Sequence, residues 1–235
     1  MPRAANPTLR DDILEAALRL VEEKGVAAVT MRDVAGALGY SATAIYQHFQ
    51  SKEDLLLTLK LQAGDLLAEA MEHALQEPTL GEQLLAMGHA YVRFGLDNPA
   101  YYRLIFQDTE SGVLPTAEQL QRLRRSWTIM RDTLNAWLQE LGVPGVDVDQ
   151  EAHVLWSMGH GVTSLALAGR FPFEDHAQIH ALFTISARRW GQGLLNMQAT
   201  QIIPKSEKPR KPVTHGSPGT RMRSSKPQRS GRAPR

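Results

Sequence analysis

Two short helices joined by a glycine turn are predicted within residues 30–52, and this arrangement constrains the fold more than any other part of the chain. Thr30 has the side chain of a helix cap, and Gly39 can adopt the left-handed conformation that ends a helix. Ser41 is a second helix cap, and Ile45 lies where the second helix needs a buried anchor. This spacing fits a helix-turn-helix, although a helical hairpin in the core of an all-α protein has the same pattern.

The surroundings of this pair favour the helix-turn-helix. A helix capped by Thr8 and carrying one apolar stripe is predicted before it, over residues 9–24. Ser51-Lys52-Glu53-Asp54 predicts the capped start of a long helix after it. The outer face of the second helix carries short, uncharged or aromatic side chains, which suit close contact with a DNA duplex. These side chains belong to Ser41, Thr43, Ala44, Tyr46, Gln47 and His48.

Residues 8–59 resemble the amino-terminal domain of the tetracycline-repressor (TetR) family of bacterial transcription regulators, through the segments TMRDVAGALG and AIYQHFQSKEDLL. The resemblance implies a three-helix DNA-binding unit and a helix that connects it to a larger helical regulatory domain. The positions that it places on the recognition helix are Thr43, Ala44, Tyr46, Gln47 and His48. It also places Arg32 where the preceding helix reaches DNA and Lys52 where the next helix contacts a phosphate.

Helical periodicity continues through most of the remaining chain, and no segment shows the alternation of a half-buried strand. Helices are predicted over about residues 52–76, 80–97, 100–106, 115–141, 149–168 and 173–197. The sequence therefore predicts an all-α fold, with an N-terminal three-helix bundle followed by a larger helical bundle for ligand binding and dimerisation. The predicted domains are a flexible N-terminus (1–7), the DNA-binding domain (8–54), the regulatory domain (55–200) and a disordered basic tail (201–235).

A second resemblance lies in the regulatory half. The segments NPAYYRLIF and LWSMGHG resemble a TetR subgroup whose regulatory domain is named for a Trp, a His and a Gly, here Trp156, His160 and Gly161. That subgroup implies a ligand cavity among the fifth to eighth helices and a dimer interface formed by the last two long helices.

Large aromatic and thioether side chains in this half are of the kind that line apolar ligand cavities, although such residues at helical spacing also fill ordinary cores. The wider set includes Trp137 and Met158. The predicted pocket residues are Tyr91, Phe94, Tyr102, Phe106, Trp127, Met130, Trp156 and His160.

The last two helices also carry the features of a subunit interface. The helix over residues 149–168 is rich in small residues, which permit close helix approach, and the helix over residues 173–197 is apolar on more than one face. A partner subunit would cover the extra apolar face, and a single large core is the alternative. Phe183 and Trp190 are predicted to lie in the interface of a homodimer.

Charge divides the chain into an acidic body and a basic tail. The tail from residue 204 holds ten of the 26 Lys and Arg residues and one of the 25 Asp and Glu residues, so the body is net negative. A basic segment interleaved with Pro, Ser and Gly is typical of disorder. Such a tail either adds non-specific attraction to DNA or is an extension without a specific role.

Other functional classes find less support. The absence of cysteine excludes a disulfide framework and a thiolate zinc site. His176 and His180 share one helix face, as metal ligands do, but two ligands do not make a site. Phosphate-binding loops, nucleophile elbows and di-iron motifs are absent from the sequence, so no catalytic residue, metal or cofactor is predicted. The lack of a signal peptide and of a membrane span predicts a cytoplasmic protein.

The sequence thus predicts a transcription regulator, with repression as the expected mode. A homodimer binds a palindromic operator in double-stranded DNA, with one recognition helix in each of two major grooves about one helical turn apart. A small apolar or amphipathic effector in the regulatory domain changes the spacing of the two recognition helices. A helical enzyme or metal-binding protein and a ligand-independent DNA-organising protein remain the alternatives.

Overall fold

The computed structural model describes residues 8–106, 114–142 and 145–196, all of which belong to one compact unit, Met1–Thr200. Helix is the regular secondary structure throughout these ranges, which confirms the predicted all-α fold. The predicted flexible N-terminus (1–7) and basic tail (201–235) lie outside the described residues.

The helix boundaries agree closely with the capping and breaker residues. The helices are α1 (Leu9–Lys24), α2 (Met31–Leu38), α3 (Ala42–Tyr46), α4 (Lys52–His73), α5 (Leu80–Asp97), α6 (Pro99–Phe106), α7 (Ala117–Leu141), α8 (Val148–Leu167) and α9 (His176–Asn196). A short 3₁₀ turn, Ala74–Gln76, extends α4 before Pro78. At the start of the first helix, Thr8 makes no side-chain capping hydrogen bond to α1, contrary to the prediction.

The first core joins α1, α2 and α3 to the beginning of α4 and to α6. Ile13, Val34, Ile45 and Phe49 are almost completely buried in it. Replacing a large side chain of this kind with alanine costs about 2–5 kcal/mol, so this core fixes the arrangement of the small helices. The core extends past the predicted boundary at residue 54, since leucines of α4 such as Leu59 belong to it. The boundary between the two domains therefore stays a prediction.

The second core holds the larger helical bundle of α4, α5, α7 and α8 together, with Leu67, Met87, Leu134 and Leu155 among its buried residues. Ion pairs join α7 to α4 at its surface, from Arg122 to Asp65 and from Arg125 to Glu72.

A third, smaller cluster packs α5 against α8 and α9 around Val92, Val162 and Phe183. Two glycines let these helices approach closely. A Cβ atom on Gly88 would lie 2.0 Å from Cζ of Phe183, and one on Gly95 would lie 2.3 Å from Cγ2 of Thr163. Phe183 therefore points into its own subunit, with 1% of its surface exposed.

Candidate nucleic-acid interface and effector cavity

Capping interactions set the start and end of α2 and the start of α3. The amide of Asp33 donates to Oγ1 of Thr30 (3.1 Å), and the amide of Thr30 donates to Oδ2 of Asp33 (3.2 Å). The side-chain hydrogen bond with Thr30 lowers the pKa of Asp33, so this cap is fully charged near neutral pH. Gly39 ends α2 with φ of 68°, and Oγ of Ser41 accepts from the amide of Ala44 (3.3 Å) at the start of α3.

The predicted DNA-contacting side chains lie on the outside of this motif. Ala44 and Lys52 are half-buried, and the others are exposed. The exposed members are Arg32, Ser41, Thr43, Tyr46, Gln47 and His48. Tyr46 is 52% exposed, so this aromatic side chain is accessible to a partner outside the chain.

The recognition helix is shorter than the sequence predicts. α3 ends at Tyr46, so Gln47 is its C-terminal cap and His48 lies in the following turn rather than on the helix. The backbone stays close to helical there, because Gln47 has φ of −70° and ψ of −22° and the amide of His48 donates to the carbonyl of Ile45 (3.0 Å). Both side chains consequently remain beside the exposed face of α3.

Two cations brace the motif from outside. Nζ of Lys52 donates to the backbone carbonyl of Ala27 (3.0 Å), which ties the start of α4 to the loop before α2. The guanidinium of Arg10 lies 4.9 Å from the ring centre of Phe49. An ammonium group has three donors, so Lys52 can keep this hydrogen bond and still donate to a phosphate.

A cavity of about 860 Å³ lies inside the larger bundle, walled by α4 to α9. Its wall is mainly apolar, with an aromatic part at α6, α7 and α8 and a part of leucine and methionine side chains on α4 and α5. Ring contacts order the aromatic part: the Trp127 and Trp156 centroids lie 6.2 Å apart, edge to face, and those of Tyr91 and Phe106 lie 5.6 Å apart. This volume suits a drug-sized apolar ligand.

The structure places the predicted pocket residues in two layers. Five of them line the cavity: Tyr91, Phe106, Trp127, Met130 and Trp156. Phe94, Tyr102 and His160 are not among the lining residues.

Behind the wall, His160 joins two tyrosines. Its Nδ1 lies 3.0 Å from the hydroxyl of Tyr91 and 2.9 Å from that of Tyr102. Burial lowers the pKa of His160, raises that of Tyr91, and raises the pKa of Tyr102 to about 12. All three groups are therefore neutral near pH 7, and they hold α5, α6 and α8 together.

Sequence reasoning missed part of the cavity wall. Met71 and Met87 line its aliphatic part, and Phe183 reaches it from α9. Polar side chains of α7 and α8 also line it, among them Arg131 and Asp149. Helical periodicity marks the apolar residues as buried, but it does not separate cavity wall from filled core.

The outer faces of α8 and α9 differ from the predicted interface. Phe183 is buried within its own chain, and Trp190 is half-buried against Trp137, with its Nε1 donating to Oε2 of Glu151 (2.9 Å). The prediction that Phe183 lies in the dimer interface is therefore wrong, because this side chain points inward to α5. The exposed large apolar residues of the two helices are Leu165, Ile185 and Leu195.

The two histidines of α9, His176 and His180, lie in different surroundings. His176 is exposed, whereas Nδ1 of His180 lies 2.9 Å from Nδ1 of His89 on α5. Oγ1 of Thr184 lies 3.0 Å from the other ring nitrogen of His89. Groups of three or more potential metal ligands are absent from the part of the chain that the structure describes. In the same ranges, helices long and apolar enough to cross a membrane are also absent.

The fold and the exposed face of α3 define a helix-turn-helix DNA-binding protein with an attached helical domain. Residues 13–59 match the model of bacterial regulatory proteins of the tetR family, and residues 84–189 match the tetracyclin repressor-like C-terminal domain. The two matches together cover more than half of the chain. The chain belongs to the tetR family of bacterial regulatory proteins, and it is a transcription regulator rather than an enzyme.

Solved structures agree with this assignment. The chain is 26% identical to the TetR family transcriptional regulator PfmR from Thermus thermophilus, with a TM-score of 0.61 over 81% of this chain and 97% of that one. A protein of unknown function from Rhodococcus sp. RHA1 has a TM-score of 0.69 at 22% identity, over 83% and 100% of the two chains. The fatty acid degradation regulator FadR from Bacillus halodurans has a TM-score of 0.56 at 18% identity, over 82% and 97%. The last two likenesses concern the fold alone. Regulators of the family bind DNA operators as dimers and respond to small-molecule effectors.

Proposed function

We propose that this protein is a cytoplasmic repressor that binds a palindromic operator as a homodimer and leaves it when an apolar or amphipathic effector fills the cavity. One observation carries the proposal: α6 belongs both to the cavity wall and to the core of the DNA-binding motif. Ile105 and Phe106 line the cavity, whereas Ala100 and Leu104 are buried with α1 and α4 in the first core.

This arrangement gives the effector a mechanical path to the DNA. Close-packed cores shift as units rather than deforming continuously, so a ligand that displaces Phe106 moves α6 against α1. Nη1 of Arg103 already links α6 to the carbonyl of Glu22 at the end of α1 (3.4 Å). A small rotation of each DNA-binding motif changes the distance between the two recognition helices, which a palindromic operator fixes at about one helical turn.

At the operator, we assign two kinds of contact. Gln47 pairs with adenine through its side-chain amide and the methyl of Thr43 contacts thymine, so both residues select sequence. Tyr46 and His48 contact phosphates, and Lys52 adds a third phosphate contact. The small side chains of Ser41 and Ala44 let the backbone of α3 approach the DNA closely. Arg32 reaches the DNA from α2.

In the regulatory domain, we assign effector contact to the lining residues Tyr91, Phe106, Trp127, Met130 and Trp156. Tyr102 and His160 position this wall through their hydrogen bonds, and Phe94 supports it from the second core. The sequence of Trp156, His160 and Gly161 supports membership of the subgroup named for these residue types.

The dimer forms through the outer faces of α8 and α9. Leu165 and Ile185 are each 47% exposed, and a Cβ atom on Gly161 would meet nothing within 4 Å in the single chain. Small residues beside exposed apolar ones allow two copies of these helices to pack closely about a twofold axis.

Selection of binding sequences from random DNA with the full chain tests the DNA-binding part of this proposal. We expect an inverted repeat, to which the Thr43→Ala, Gln47→Ala double variant binds more weakly by about 1–3 kcal/mol for each base-specific interaction that is removed. Gln121→Ala removes an exposed glutamine from α7 and is the matched control, with unchanged affinity. Enrichment of no common sequence would instead support a DNA-organising protein without sequence preference.

The effector part is tested by screening apolar and amphipathic compounds for release of the labelled operator, followed by fluorescence anisotropy. A compound that releases the parent protein should fail to release Leu67→Phe, because Leu67 of α4 lines the cavity and a larger side chain occupies its space. Equal release from both proteins would place the effector site elsewhere.

A further inference from the structure

The cavity reaches solvent along one side of the bundle. Among the described lining residues, those that are exposed all lie on α7 and α8. They are Arg124, Thr128, Asp132, Asp149 and His153. The lining residues of α4, α5, α6 and α9 are buried or half-buried. The opening therefore lies at the seam between α7 and α8.

Two side-chain contacts cross this seam at its exposed edge, and both are made by lining residues. Nε of Arg131 donates to Oδ1 of Asp149 (2.5 Å), and the rings of Trp127 and His153 have centroids 4.6 Å apart. The two contacts are one helical turn apart on each helix and run in opposite chain directions. They form consecutive rungs between two antiparallel helices, directly over the cavity.

We propose that the seam between α7 and α8 is the entrance of the effector, and that the pairs Arg131–Asp149 and Trp127–His153 are its latch. This proposal rests on the proposed function, because it takes the cavity as the effector site. It adds the route by which an apolar or amphipathic ligand enters. In this proposal the latch controls the rates of ligand entry and exit rather than the affinity.

The latch can open without separating the helices. The side chains of Arg131 and Asp149 are 38% and 62% exposed, so water screens their attraction and solvates both charges when they part. Asp132, the neighbour of Arg131 on α7, offers a second carboxylate 3.4 Å from Nη1 of Arg131. Arg131 therefore keeps an acidic partner when it swings away from Asp149. Below the latch, Leu134 and Leu155 stay in the second core, which keeps α7 and α8 in place.

Two other boundaries of the wall, between α5 and α8 and between α5 and α9, are closed more firmly. A Cβ atom on Gly159 of α8 would lie 3.3 Å from the ring of Tyr91 on α5, and one on Gly88 of α5 would overlap Phe183 of α9. These contacts are between backbone and buried rings, so a passage there requires whole helices to move apart. At the seam between α7 and α8, by contrast, the contacts at the cavity wall are made by side chains, which can rotate aside without movement of the helices.

Stopped-flow fluorescence with N-phenyl-1-naphthylamine tests the proposal on the full-length chain. This probe is apolar and uncharged, so changes of protein charge do not alter its attraction to the site. Asp149→Asn should raise its association and dissociation rates together by about two- to fivefold, the range expected from the loss of one exposed ion pair, with little change in Kd. Asp65→Asn breaks the ion pair with Arg122 that joins α4 to α7. Neither of these two residues lines the cavity, so the variant should leave both rates unchanged.

A cross-link gives the opposite perturbation. The sequence contains no cysteine, so a chain with Arg131→Cys and Asp149→Cys can be joined across the seam with bismaleimidoethane. Both rates should fall in the cross-linked protein relative to the same double variant before cross-linking. Unchanged rates in both the Asp149→Asn and the cross-linked proteins would overturn the assignment of the entrance to this seam.

The same probe separates failure of this proposal from failure of the proposed function. If Leu67→Phe weakens binding of the probe, the probe occupies the cavity. Its association and dissociation rates then decide where the entrance lies. Absence of such binding would refute the cavity as an effector site, and the proposed function and the entrance would fall together.

Discussion

Gly88→Ala tests the contact that joins α5 to α9. The added Cβ atom would lie 2.0 Å from Cζ and 2.3 Å from Cε1 of Phe183, so the ring or a helix must move by roughly 1.5 Å to restore an ordinary carbon–carbon contact. Forcing an extra carbon into a packed core costs about 1–3 kcal/mol, and replacing a helical glycine with alanine returns about 0.5–1 kcal/mol. Phe183 is a buried ring, so we expect the upper part of the cost and a net loss of about 1–2 kcal/mol in the free energy of unfolding.

Urea unfolding, followed by circular dichroism, measures this loss. All variants are compared at one protein concentration, because the apparent stability of a dimer depends on concentration. Gly36→Ala is the matched control, because Gly36 is also inside a helix and a Cβ atom there meets nothing within 4 Å. This control should gain about 0.5–1 kcal/mol.

Phe183→Leu supplies the second arm of a double-mutant cycle. A shorter side chain at position 183 relieves the clash with an alanine at position 88, so the two changes together should cost less than the sum of the single losses by at least about 0.5 kcal/mol. If Gly88→Ala were as stabilising as Gly36→Ala, Phe183 would not point inward to α5, and its ring would again be a candidate for the dimer interface.

Four further outcomes are expected. Ile185→Glu should yield folded monomer in analytical ultracentrifugation, since the side chain is exposed in the single chain; a stable dimer would place the interface elsewhere. Lys52→Met should weaken operator and random DNA alike and lower the salt slope of log K by about 0.9, and an unchanged slope would remove Lys52 from the phosphate contacts. Burial lowers the pKa of both His89 and His180, so the unfolded chain binds more protons below about pH 6.5, and the free energy of unfolding should fall as the pH drops below that value. Replacing both histidines with asparagine should make the free energy of unfolding, measured in urea titrations, less steeply dependent on pH. An equally steep dependence would show that His89 and His180 are not its source. Truncation after Ile203 should weaken operator and random DNA by a similar factor at low salt, whereas unchanged binding would show that the tail plays no part.

The helices near the amino terminus were readable from sequence because their signals are local. Thr30, Gly39 and Ser41 act on residues three or four positions away, and the structure shows each of them as predicted. The early end of α3 has no such signal. Phe49 is buried as an anchor, but it is reached through a turn at Gln47 and His48 rather than through another turn of helix. Burial at helical spacing does not distinguish these two backbones.

The direction of Phe183 could not be read from periodicity, for a different reason. α9 is apolar on more than one face, and a hydrophobic pattern does not state which face meets the chain's own core and which meets a partner. The answer depends on Gly88, far earlier in the sequence, whose missing side chain makes room for the ring. The ion pair between Arg131 and Asp149 was unpredictable for a similar reason, because it exists only once the register of α7 against α8 is set.

The inward direction of Phe183 changes the expected route of regulation. Its ring lines the cavity, and the same helix carries Ile185 on the opposite, exposed face. A ligand that presses on Phe183 therefore acts on the helix of the proposed dimer interface, while a ligand that presses on Phe106 acts on α6 and the DNA-binding core. Because the two rings share one cavity, a single effector can bias both the internal angle of each subunit and the angle between subunits. Phe106→Leu and Phe183→Leu should then each weaken effector-driven release of the operator. The effector should also shift the dimer dissociation constant of the parent protein, and only Phe183→Leu should alter that shift.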